Sequence, residues 1–597
     1  MNDTGQLQRA QGGTSPQTTL RGAKLPSPRF RLAPLSDELH HVRGFHDLQT
    51  FFPTLSKIYR LSKHHSQDVW LDSKMRISSL DISGTSGPCR LSLIPNMDCS
   101  GGAEASAEKT VVPAFLKVTH LLDPVRWMKG QYSLPRHTGL PWHNKTWTTA
   151  SNKLQDPWNQ AYVETMAAYA LGRLREEGIT PHFNLFYGAF CARANLYRYN
   201  LTDEFQTYRN ARWFWGGQKR GLYKLCLVDS RTPDVPVDKE IADELLREPS
   251  ESDSDYESEE ASEASEEEIV VDDADADAQF GNLEMGSLHS DQMSELEFAE
   301  ESESESESEK SEDESEEEEE DIYKVYAEFN EFPVMLIALE ENMGTMDSLL
   351  EKHDEVGAEP GTAEWETRWC AWLFQVTAAL SVAQDLLGFT HNDLHTNNVV
   401  WSRTAEEYMY YTNRSGAVFK VPTFGKLFRI IDFGRAIFKI NQSLFISDDF
   451  KKGNDAEGQY CFKPLHPRPS PEEEVHPNPS FDLCRLAVSL FEALFPDAPE
   501  DKEGGKLLSS EEGLEVQETV SPLYNMIWSW MIDDEGRNIL IEPDGEERFP
   551  DFELYRHIAA KIHGAVPARQ FSEAAFDQFQ VSPSEVEAGV KKWSLFA

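Results

Sequence analysis

The stretch from His391 to Val400, HNDLHTNNVV, constrains the fold of this chain more than any other. It carries Asp393 and Asn398 five residues apart, and the β-branched pair that follows them favours a strand. A carboxylate and an amide at this spacing can point into one cleft only from an irregular loop. The sequence therefore predicts a polar loop that leads into a strand at the edge of a ligand site.

A second acidic motif, IIDFGRA, follows downstream. Its Asp432 comes after a β-branched run, and Gly434 lets the backbone turn away directly behind the acid. Before the first motif, residues 365–387 show a long apolar helix pattern. Either motif alone also fits a polar turn after a buried strand. In this order and with these neighbours, the two motifs predict a single active-site cleft.

Together the motifs resemble the catalytic loop and the metal-binding D-F-G triplet of the protein-kinase-like superfamily. The resemblance covers most of residues 70–500, and the sequence of residues 408–436 is similar to that of kinase-like proteins of large DNA viruses in particular. It implies an α+β, bilobal fold, with an antiparallel N-lobe of five strands and a mainly helical C-lobe. It also implies ATP and Mg²⁺ as cofactors.

The resemblance assigns roles to the residues that match these motifs. Asp393 would orient and deprotonate the acceptor hydroxyl, while Asn398 and Asp432 would hold Mg²⁺. His395 stands where serine/threonine kinases carry a lysine, and its imidazole could hydrogen-bond the transferred phosphoryl group. Asn392 stands where most protein kinases carry an arginine, so we do not expect control through a phosphorylated activation segment.

Two charged residues of the N-terminal half are candidates for the nucleotide site. Lys117 lies inside the apolar run VVPAFLKVTHLL, and Glu164 lies early in an amphipathic helix pattern. In a kinase these two residues would pair, and the lysine would contact the α- and β-phosphates. The alternative is a strand lysine that faces solvent, with Lys109 and Lys129 as rivals for the role.

The remaining nucleotide contacts are predicted from a hairpin and a hinge. The turn SGTSGPC contains Gly84 and Gly87, whose backbone would cover the phosphates, although an ordinary β-turn explains the glycines nearly as well. The run FPVMLIALEENM resembles the fifth strand and hinge of kinases. Leu339 would be the gatekeeper, and Glu340 and Asn342 would line the adenine pocket, where backbone groups of the hinge would recognise the adenine.

The segment after the second motif completes the resemblance. Residues 445–480 are polar and proline-rich and fit an activation segment, although the A-P-E triplet is absent. The run NPSFDLCRLAVSLFEALF resembles the helix whose first-turn acid supports the catalytic loop, which would be Asp482. The alternative interpretation is an N-cap at Ser480 or an acid that is favourable to the helix dipole.

The charge of the chain excludes some partners. Its formal net charge of −47 argues against binding to nucleic acid and to anionic membranes. Residues 251–321 hold 33 acidic residues against Lys310 alone, so most of that charge is local. A Glu/Ser tract of this kind buries too little apolar area to fold. It would be either a solvated spacer or a segment that binds a basic protein partner.

These patterns predict the following organisation: a disordered tail over 1–40, an N-lobe over 45–340, and a C-lobe with C-terminal helices over 341–597. The N-lobe would include an appendage over 195–245 and a disordered acidic insertion over 248–321. Apolar patterns also predict helices over 45–61 and 586–595, and residues 408–423 fit a β-hairpin with Gly416 at its turn. The seven cysteines lack metal-site spacing, and the chain shows neither a leader nor an apolar run of membrane-spanning length. We therefore expect an intracellular protein of the cytoplasm or nucleus, or of a host cell or virion if it is viral.

The function predicted from the sequence is phosphoryl transfer from ATP to a protein serine or threonine. The D-L-H-x-x-N pattern is also similar to small-molecule kinases, such as those for aminoglycosides and choline, and to haspin-type protein kinases. A small-molecule kinase on the same fold is therefore the first alternative. A pseudokinase that binds partners through its surface is the second, since the glycine turn departs from the usual pattern.

Overall fold

The computed structural model describes the following residues: 29–59, 61, 68–96, 109–132, 149–232, 235–249, 323–441, 443–462, 475–511, 513–543 and 545–596. Nearly all of the acidic tract 248–321 and the first 28 residues of the predicted tail lie outside these ranges. The remainder of that tail is structured, because Phe30–Leu32 forms a strand that pairs with Val69–Leu71. Ordered chain thus begins earlier than composition predicts.

In the described part of the chain the strands are β1 (Phe30–Leu32), β2 (Phe45–Gln49), β3 (Val69–Leu71), β4 (Met75–Ile82), β5 (Gly87–Pro95), β6 (Thr110–His120), β7 (Phe186–Asn200), β8 (Lys224–Asp229), β9 (Tyr323–Glu340), β10 (Gly344–Thr345), β11 (Val399–Arg403), β12 (Tyr408–Thr412), β13 (Val418–Pro422), β14 (Lys426–Ile430), β15 (Phe438–Ile440), β16 (Ser443–Phe445), β17 (Leu507–Glu511), β18 (Leu514–Gln517), β19 (Gln580–Val581) and β20 (Lys592–Ser594).

The α-helices of the same residues are α1 (Leu55–Ile58), α2 (Pro124–Lys129), α3 (Thr149–Gln155), α4 (Gln160–Glu176), α5 (Phe205–Arg209), α6 (Arg212–Lys219), α7 (Lys239–Leu245), α8 (Asp347–Glu351), α9 (His353–Val356), α10 (Ala363–Leu387), α11 (Phe481–Leu494), α12 (Pro522–Trp530), α13 (Phe552–Lys561), α14 (Pro567–Gln570) and α15 (Ala574–Asp577).

The N-terminal half is built on one antiparallel sheet, in the order β2-β7-β9-β6-β5-β4, with β8 pairing to β9. The sheet has seven strands among the described residues, so the prediction of five is corrected. The additional strands are β2 and β8, which extend it on the β7 and β9 sides. Since β8 lies within 195–245, part of the predicted appendage belongs to the main sheet.

The strand β9 organises this sheet because it is 18 residues long. Its first half pairs with β8 and its second half with β6, and β7 pairs with it along most of its length. The second half is apolar and buried without interruption from Phe332 to Leu339, as expected for a strand that is covered on both faces. Tyr323 is the first residue of β9, so the prediction that folded sequence includes this residue is confirmed.

The C-terminal half is packed around α10. This helix begins after Thr362, whose hydroxyl accepts a hydrogen bond from the Trp365 backbone N–H, and ends at Gly388 with φ +55°. By length and composition it could cross a membrane, but 83% of its most apolar window is buried inside the protein. The chain is thus a mixed α+β structure that is compatible with two lobes.

Three local predictions have different outcomes. The hairpin predicted between the two motifs is confirmed as β12 and β13, with Gly416 at φ +88° in the turn. The helix predicted over 45–61 is wrong, because β2 occupies its first part and only α1 is helical. The helix predicted over 586–595 is also wrong. Gly589 there has φ +90°, and β20 pairs in parallel with β12.

The side chain of Phe374 joins α10 to the C-terminal segments. Its ring lies within 6.1 Å of five other aromatic rings, which belong to Tyr411, Phe419, Phe571, Phe576 and Phe579. We expect Phe374→Ala to lower the free energy of unfolding by about 3–5 kcal/mol, because it leaves a cavity at this junction. Urea unfolding followed by circular dichroism measures the change.

The matched control for this cavity is Phe374→Leu, which keeps most of the buried volume and should cost less than about 1.5 kcal/mol. If Phe374→Ala lowers the free energy of unfolding no more than Phe374→Leu does, the five neighbouring rings must fill the cavity that the lost ring leaves.

Candidate functional site

The loop after α10 is held by a carboxylate of α11. Asp482, fully buried, accepts hydrogen bonds from the backbone N–H groups of His391 (3.0 Å) and Asn392 (2.9 Å). Asn392 has a left-handed backbone with φ +63°, which asparagine adopts more readily than most residues. Its amide donates to the carbonyl oxygen of Arg435 (3.0 Å). The contact expected of Asp482 is present, and the loop is fixed on two sides.

The two sequence motifs meet through their backbones. The strand after Asn398, β11, pairs with β14, which leads into the second motif. The backbone N–H of Ile431 donates to the Asn398 carbonyl oxygen (3.0 Å), so Asp432 is one residue from that contact. Nε2 of His391 lies 2.7 Å from the Ile431 carbonyl oxygen. The structure therefore brings both predicted metal residues to the end of one strand pair.

Asp393 lies in a cluster of polar side chains and is 15% exposed. The Tyr555 hydroxyl donates to its Oδ1 (2.7 Å), and Arg435 approaches its Oδ2 to 3.7 Å. Arg485 in turn donates to the Tyr555 hydroxyl (3.0 Å). Burial alone would raise the pKa of Asp393, but the surrounding cations, Arg435 first among them, outweigh burial and lower it. The carboxylate is therefore ionised at neutral pH.

Asn398 closes the loop on itself. Its amide nitrogen donates to the Asp393 carbonyl oxygen (2.9 Å) and lies 3.0 Å from Nε2 of His395. Burial lowers the pKa of His395, so the neutral imidazole accepts this hydrogen bond at neutral pH. The side-chain oxygen of Asn398 then remains for a cation, which is the atom that a hard metal ion prefers.

Lys117 lies on β6 between two carboxylates. Its Nζ is 2.5 Å from Oε1 of Glu164 and 2.8 Å from Oδ1 of Asp432. Glu164, on α4, is nearly inaccessible to solvent and also contacts the Thr119 hydroxyl at 3.4 Å. The predicted pairing of Lys117 with Glu164 is thus present. The structure adds Asp432 to it, so the sheet, α4 and the second motif meet at one ammonium group.

The charges of this group stabilise one another. Burial alone would lower the pKa of Lys117, but Asp432 and Glu164 outweigh burial and raise it. Burial alone would raise the pKa of Asp432, but Lys117 outweighs it and lowers that pKa to about 2. Asp432 also has φ +62°, a conformation that costs a non-glycine residue about 1–3 kcal/mol. Such strain is concentrated at functional sites.

The oxygen donors at this place fit Mg²⁺. Asp432 supplies an ionised carboxylate that is 44% exposed on its side chain, and Asn398 supplies an amide oxygen. Groups of three or more His, Cys, Asp or Glu that could hold a metal do not occur among the described residues. A metal ion here would therefore rest on these two oxygens and on oxygens of a bound ligand.

The predicted hairpin is confirmed as β4 and β5, with Gly84 and Gly87 around its turn. Gly87 has φ +111°, which favours glycine, whereas Gly84 has no such requirement. The hydroxyl of Ser86 donates to the carbonyl oxygen of Leu116 (3.0 Å), which ties the turn to the strand that carries Lys117. The turn thus lies beside the lysine, and its contact with phosphate stays a prediction.

The hinge side chains are engaged with the protein itself. Leu339 is buried in β9. Glu340 forms a two-pronged ion pair with Arg175, and Asn342 accepts a hydrogen bond from Arg429 (3.0 Å). Any adenine contact of Glu340 and Asn342 would therefore be made by their backbone, as the sequence predicted for this segment.

Three residues of the site were missed by sequence reasoning. Arg435 stands inside the quoted motif IIDFGRA, and Arg485 stands one helical turn after Asp482, so spacing could have suggested both. Tyr555 carries no such signal, because it lies 162 residues after Asp393. Only the packing of α13 on α11 reveals it.

Comparison with known proteins gives a short match. No family model matches the chain. A stretch of 94 residues, 15% of the chain, is 41% identical to the serine/threonine-protein kinase haspin of Bos taurus. The stretch covers 12% of that protein, so the chain spans a small part of the curated relative that it matches. This likeness supports a kinase-like relationship, and the resemblance to viral proteins stays a prediction.

Replacing Lys117 with Met should destabilise the protein more at pH 7 than at pH 5. Removing one partner of a buried ion pair costs about 3 kcal/mol, because Glu164 and Asp432 lose their cation. Burial already holds the pKa of Glu164 above its unfolded value, and loss of the lysine raises it further. The variant therefore binds a proton and recovers stability as pH falls. Urea unfolding at both pH values measures this difference.

The control for this comparison is Lys109→Met. Lys109 pairs with Glu38 on the surface, and both side chains are about half exposed, so its loss should cost less than about 1 kcal/mol at either pH. A loss for Lys117→Met that is equal at pH 5 and pH 7 would contradict the proton uptake.

Asp482→Asn should loosen the loop that carries Asp393. Oδ1 accepts from both backbone N–H groups, but the amide places an NH2 group where Oδ2 accepts from the His391 N–H, so the loss of this acceptor and of the charge should cost about 1–3 kcal/mol. Hydrogen exchange of the amides of His391 and Asn392 should accelerate accordingly. The exposed ion pair of Asp385 provides the control Asp385→Asn, which should change neither stability nor exchange. If the amides of His391 and Asn392 are as protected in Asp482→Asn as in the wild type, Asp482 does not hold the loop.

Proposed function

We propose that the chain is an ATP-dependent phosphotransferase, and that it acts as a serine/threonine protein kinase. The observation that carries the proposal is the Lys117–Glu164–Asp432 group beside the backbone contact that joins the two motifs. A cation, an ionised carboxylate and an amide oxygen at one strand end suit a polyphosphate with its metal ion. The short likeness to a protein named serine/threonine-protein kinase haspin supports the same class.

In the proposed reaction the chain positions two substrates for an in-line transfer. Asp393, ionised at neutral pH, accepts the hydrogen bond of the acceptor hydroxyl and takes its proton as the new O–P bond forms. The bond between the γ-phosphorus and the β-phosphate oxygen breaks, which releases ADP. Lys117 neutralises charge on the phosphates while Glu164 holds it in place. Mg²⁺, bound by Asp432 and Asn398, would neutralise the charge that the phosphates carry.

A neutral His395 fits a supporting role. Its Nε2 accepts from Asn398, which fixes the amide so that its oxygen is free for the metal ion. In this arrangement His395 orients a metal ligand, and its protonation would break the hydrogen bond. The phosphoryl contact expected from the family would require the imidazole to leave this position.

The acceptor class and the location are part of the proposal. A complete D-F-G triplet and the α11 helix with its supporting Asp482 favour a protein hydroxyl over a small molecule. The six cysteines among the described residues are free thiols, which agrees with an intracellular protein. The acidic tract would serve either as a spacer or as a contact for a basic protein, and we propose no nucleic-acid or membrane partner.

One observation favours a second candidate, a pseudokinase. The Tyr555 hydroxyl donates to the Asp393 oxygen that an acceptor hydroxyl would use. Tyr555 is 8% exposed, so an acceptor must displace it or share the carboxylate with it. A protein in which Tyr555 never leaves would bind nucleotide without transferring phosphate.

The experiment that decides between them is phosphoryl transfer from radiolabelled ATP with Mg²⁺ to the protein itself, to casein and histone, and to choline and an aminoglycoside. We expect Asp393→Asn to lower the rate by about 10²–10⁴-fold, because it removes the proton acceptor. Asp385→Asn, which lies outside the site, is the matched control.

The outcomes separate the candidates. Transfer to choline or an aminoglycoside, with none to protein, would replace the protein substrate with a small molecule. Binding of Mg–ATP without any transfer by the wild-type chain would leave the pseudokinase.

A further inference from the structure

The segment that follows the second motif carries two adjacent buried acids. Asp448 and Asp449 form a short 3₁₀ turn after β16, and their side chains are 3% and 8% exposed. Buried carboxylates are costly unless cations and N–H groups surround them. Each of these acids has such partners, and the partners lie in different parts of the molecule.

Asp448 contacts the beginning of the helix that carries Glu164. Its Oδ1 accepts a hydrogen bond from the backbone N–H of Gln160 (3.0 Å), the first residue of α4, and its Oδ2 pairs with Lys153. Its own N–H donates to the carbonyl oxygen of Trp158 (2.7 Å). A helix leaves its first N–H groups without internal partners, and a carboxylate there is favourable to the helix dipole. Asp448 thus holds the first turn of α4 from outside the helix.

That attachment lies on the side of α4 that carries Glu164. Gln160 and Glu164 are four residues apart, about one helical turn, so they lie on the same side of α4. A second ion pair, between Lys451 and Asp156 at 2.5 Å, reinforces the contact beside it. The segment therefore holds in place the helix whose glutamate positions Lys117.

Asp449 contacts the cation that faces the proposed catalytic base. Its Oδ2 accepts a hydrogen bond from Nε of Arg435 (3.1 Å). Arg435 is 5% exposed, and its other face approaches Oδ2 of Asp393 to 3.7 Å. The guanidinium therefore lies between the carboxylates of Asp393 and Asp449, and both help to neutralise its positive charge.

The segment offers few hydroxyl groups that could carry a phosphate. In the described parts of 445–480, hydroxyl side chains occur at Ser447, Tyr460 and Ser480. Both serines are fully buried, and the Tyr460 hydroxyl accepts a hydrogen bond from the Asn478 backbone N–H (3.1 Å). The negative charge that links this segment to Arg435 is thus supplied by a residue of the chain itself.

We propose that Asp448 and Asp449 are positioning residues of the phosphoryl transfer. Asp448 holds α4 so that Glu164 reaches Lys117, and Asp449 holds Arg435 so that Asp393 faces the acceptor. The inference rests on the proposed function and assigns residues to it that no sequence motif marks. In the described part of the segment, the charge that faces Arg435 is therefore present without an added phosphate.

Kinetics of two isosteric variants test the two roles separately. Asp449→Asn should lower kcat at least tenfold with little change in KM for ATP, because it acts on the acceptor side. Asp448→Asn should raise KM for ATP at least fivefold, because it acts through Lys117. Asp449→Glu, which keeps the charge, should recover part of kcat. Asp385→Asn is the matched control and should match the wild type in both constants.

A phosphatase experiment tests whether the protein is active without added phosphate. Protein treated with a broad-specificity phosphatase, with complete removal of phosphate verified by intact mass, should keep the kcat of untreated protein. Loss of activity that returns on rephosphorylation would overturn the proposal, and so would full wild-type kinetics in both Asn variants.

Hydrogen exchange tests the role of Asp448 without relying on the proposed function. Hydrogen exchange of the amides at residues 160–164 should accelerate at least tenfold in Asp448→Asn and stay unchanged in Asp385→Asn. If the wild type transfers no phosphate, the proposed function fails, and this exchange still reports on Asp448. Unchanged exchange in Asp448→Asn would overturn the proposal whether or not the protein is active.

Discussion

The ammonium group of Lys117 between Glu164 and Asp432 is the interaction on which the rest of the structure depends. The three residues come from β6, from α4 and from the turn after β14, so one cation joins a sheet, a helix and a loop of the C-terminal half. Glu164, whose side chain is 5% exposed, would be costly without a cation, whereas Asp432 keeps 44% of its side chain exposed to solvent. Because a single ammonium serves both, the elements that carry them must approach one another.

The second half of the site is held by backbone contacts and less by charge. Asp482 accepts two N–H groups of the catalytic loop, and Asn392 binds the carbonyl oxygen of Arg435. These hydrogen bonds fix the loop directly to α11 and to the segment behind Asp432. Asp393 is left at the end of that framework, where its position depends on Tyr555 and Arg435. Its carboxylate lies beside both of these side chains and is 15% exposed.

Sequence reasoning located the parts of this arrangement that lie within short motifs. Asp393 and Asn398 share a loop, and Lys117 stood out as a cation inside an apolar strand. Strand number and the C-terminal end were harder, because β2, β8 and β20 are short and gain their stability from neighbours far along the chain. Tyr555 and Asp448 were not found for the same reason. Tyr555 lies 162 residues after Asp393, and Asp448 lies 288 residues after Gln160, so no local pattern predicts these contacts.

The charges at the site differ from the charge of the chain as a whole. A chain with a net charge of −47 should repel a polyphosphate, yet the site concentrates Lys117, Arg435 and Arg485 around a few carboxylates. Lys117 and Arg435 each lie beside two carboxylates, and partly buried charges such as these are screened less by salt than the surface acids are. The surface acids act mainly on what approaches from outside. In the proposed function they would favour the approach of a basic protein over that of another anion.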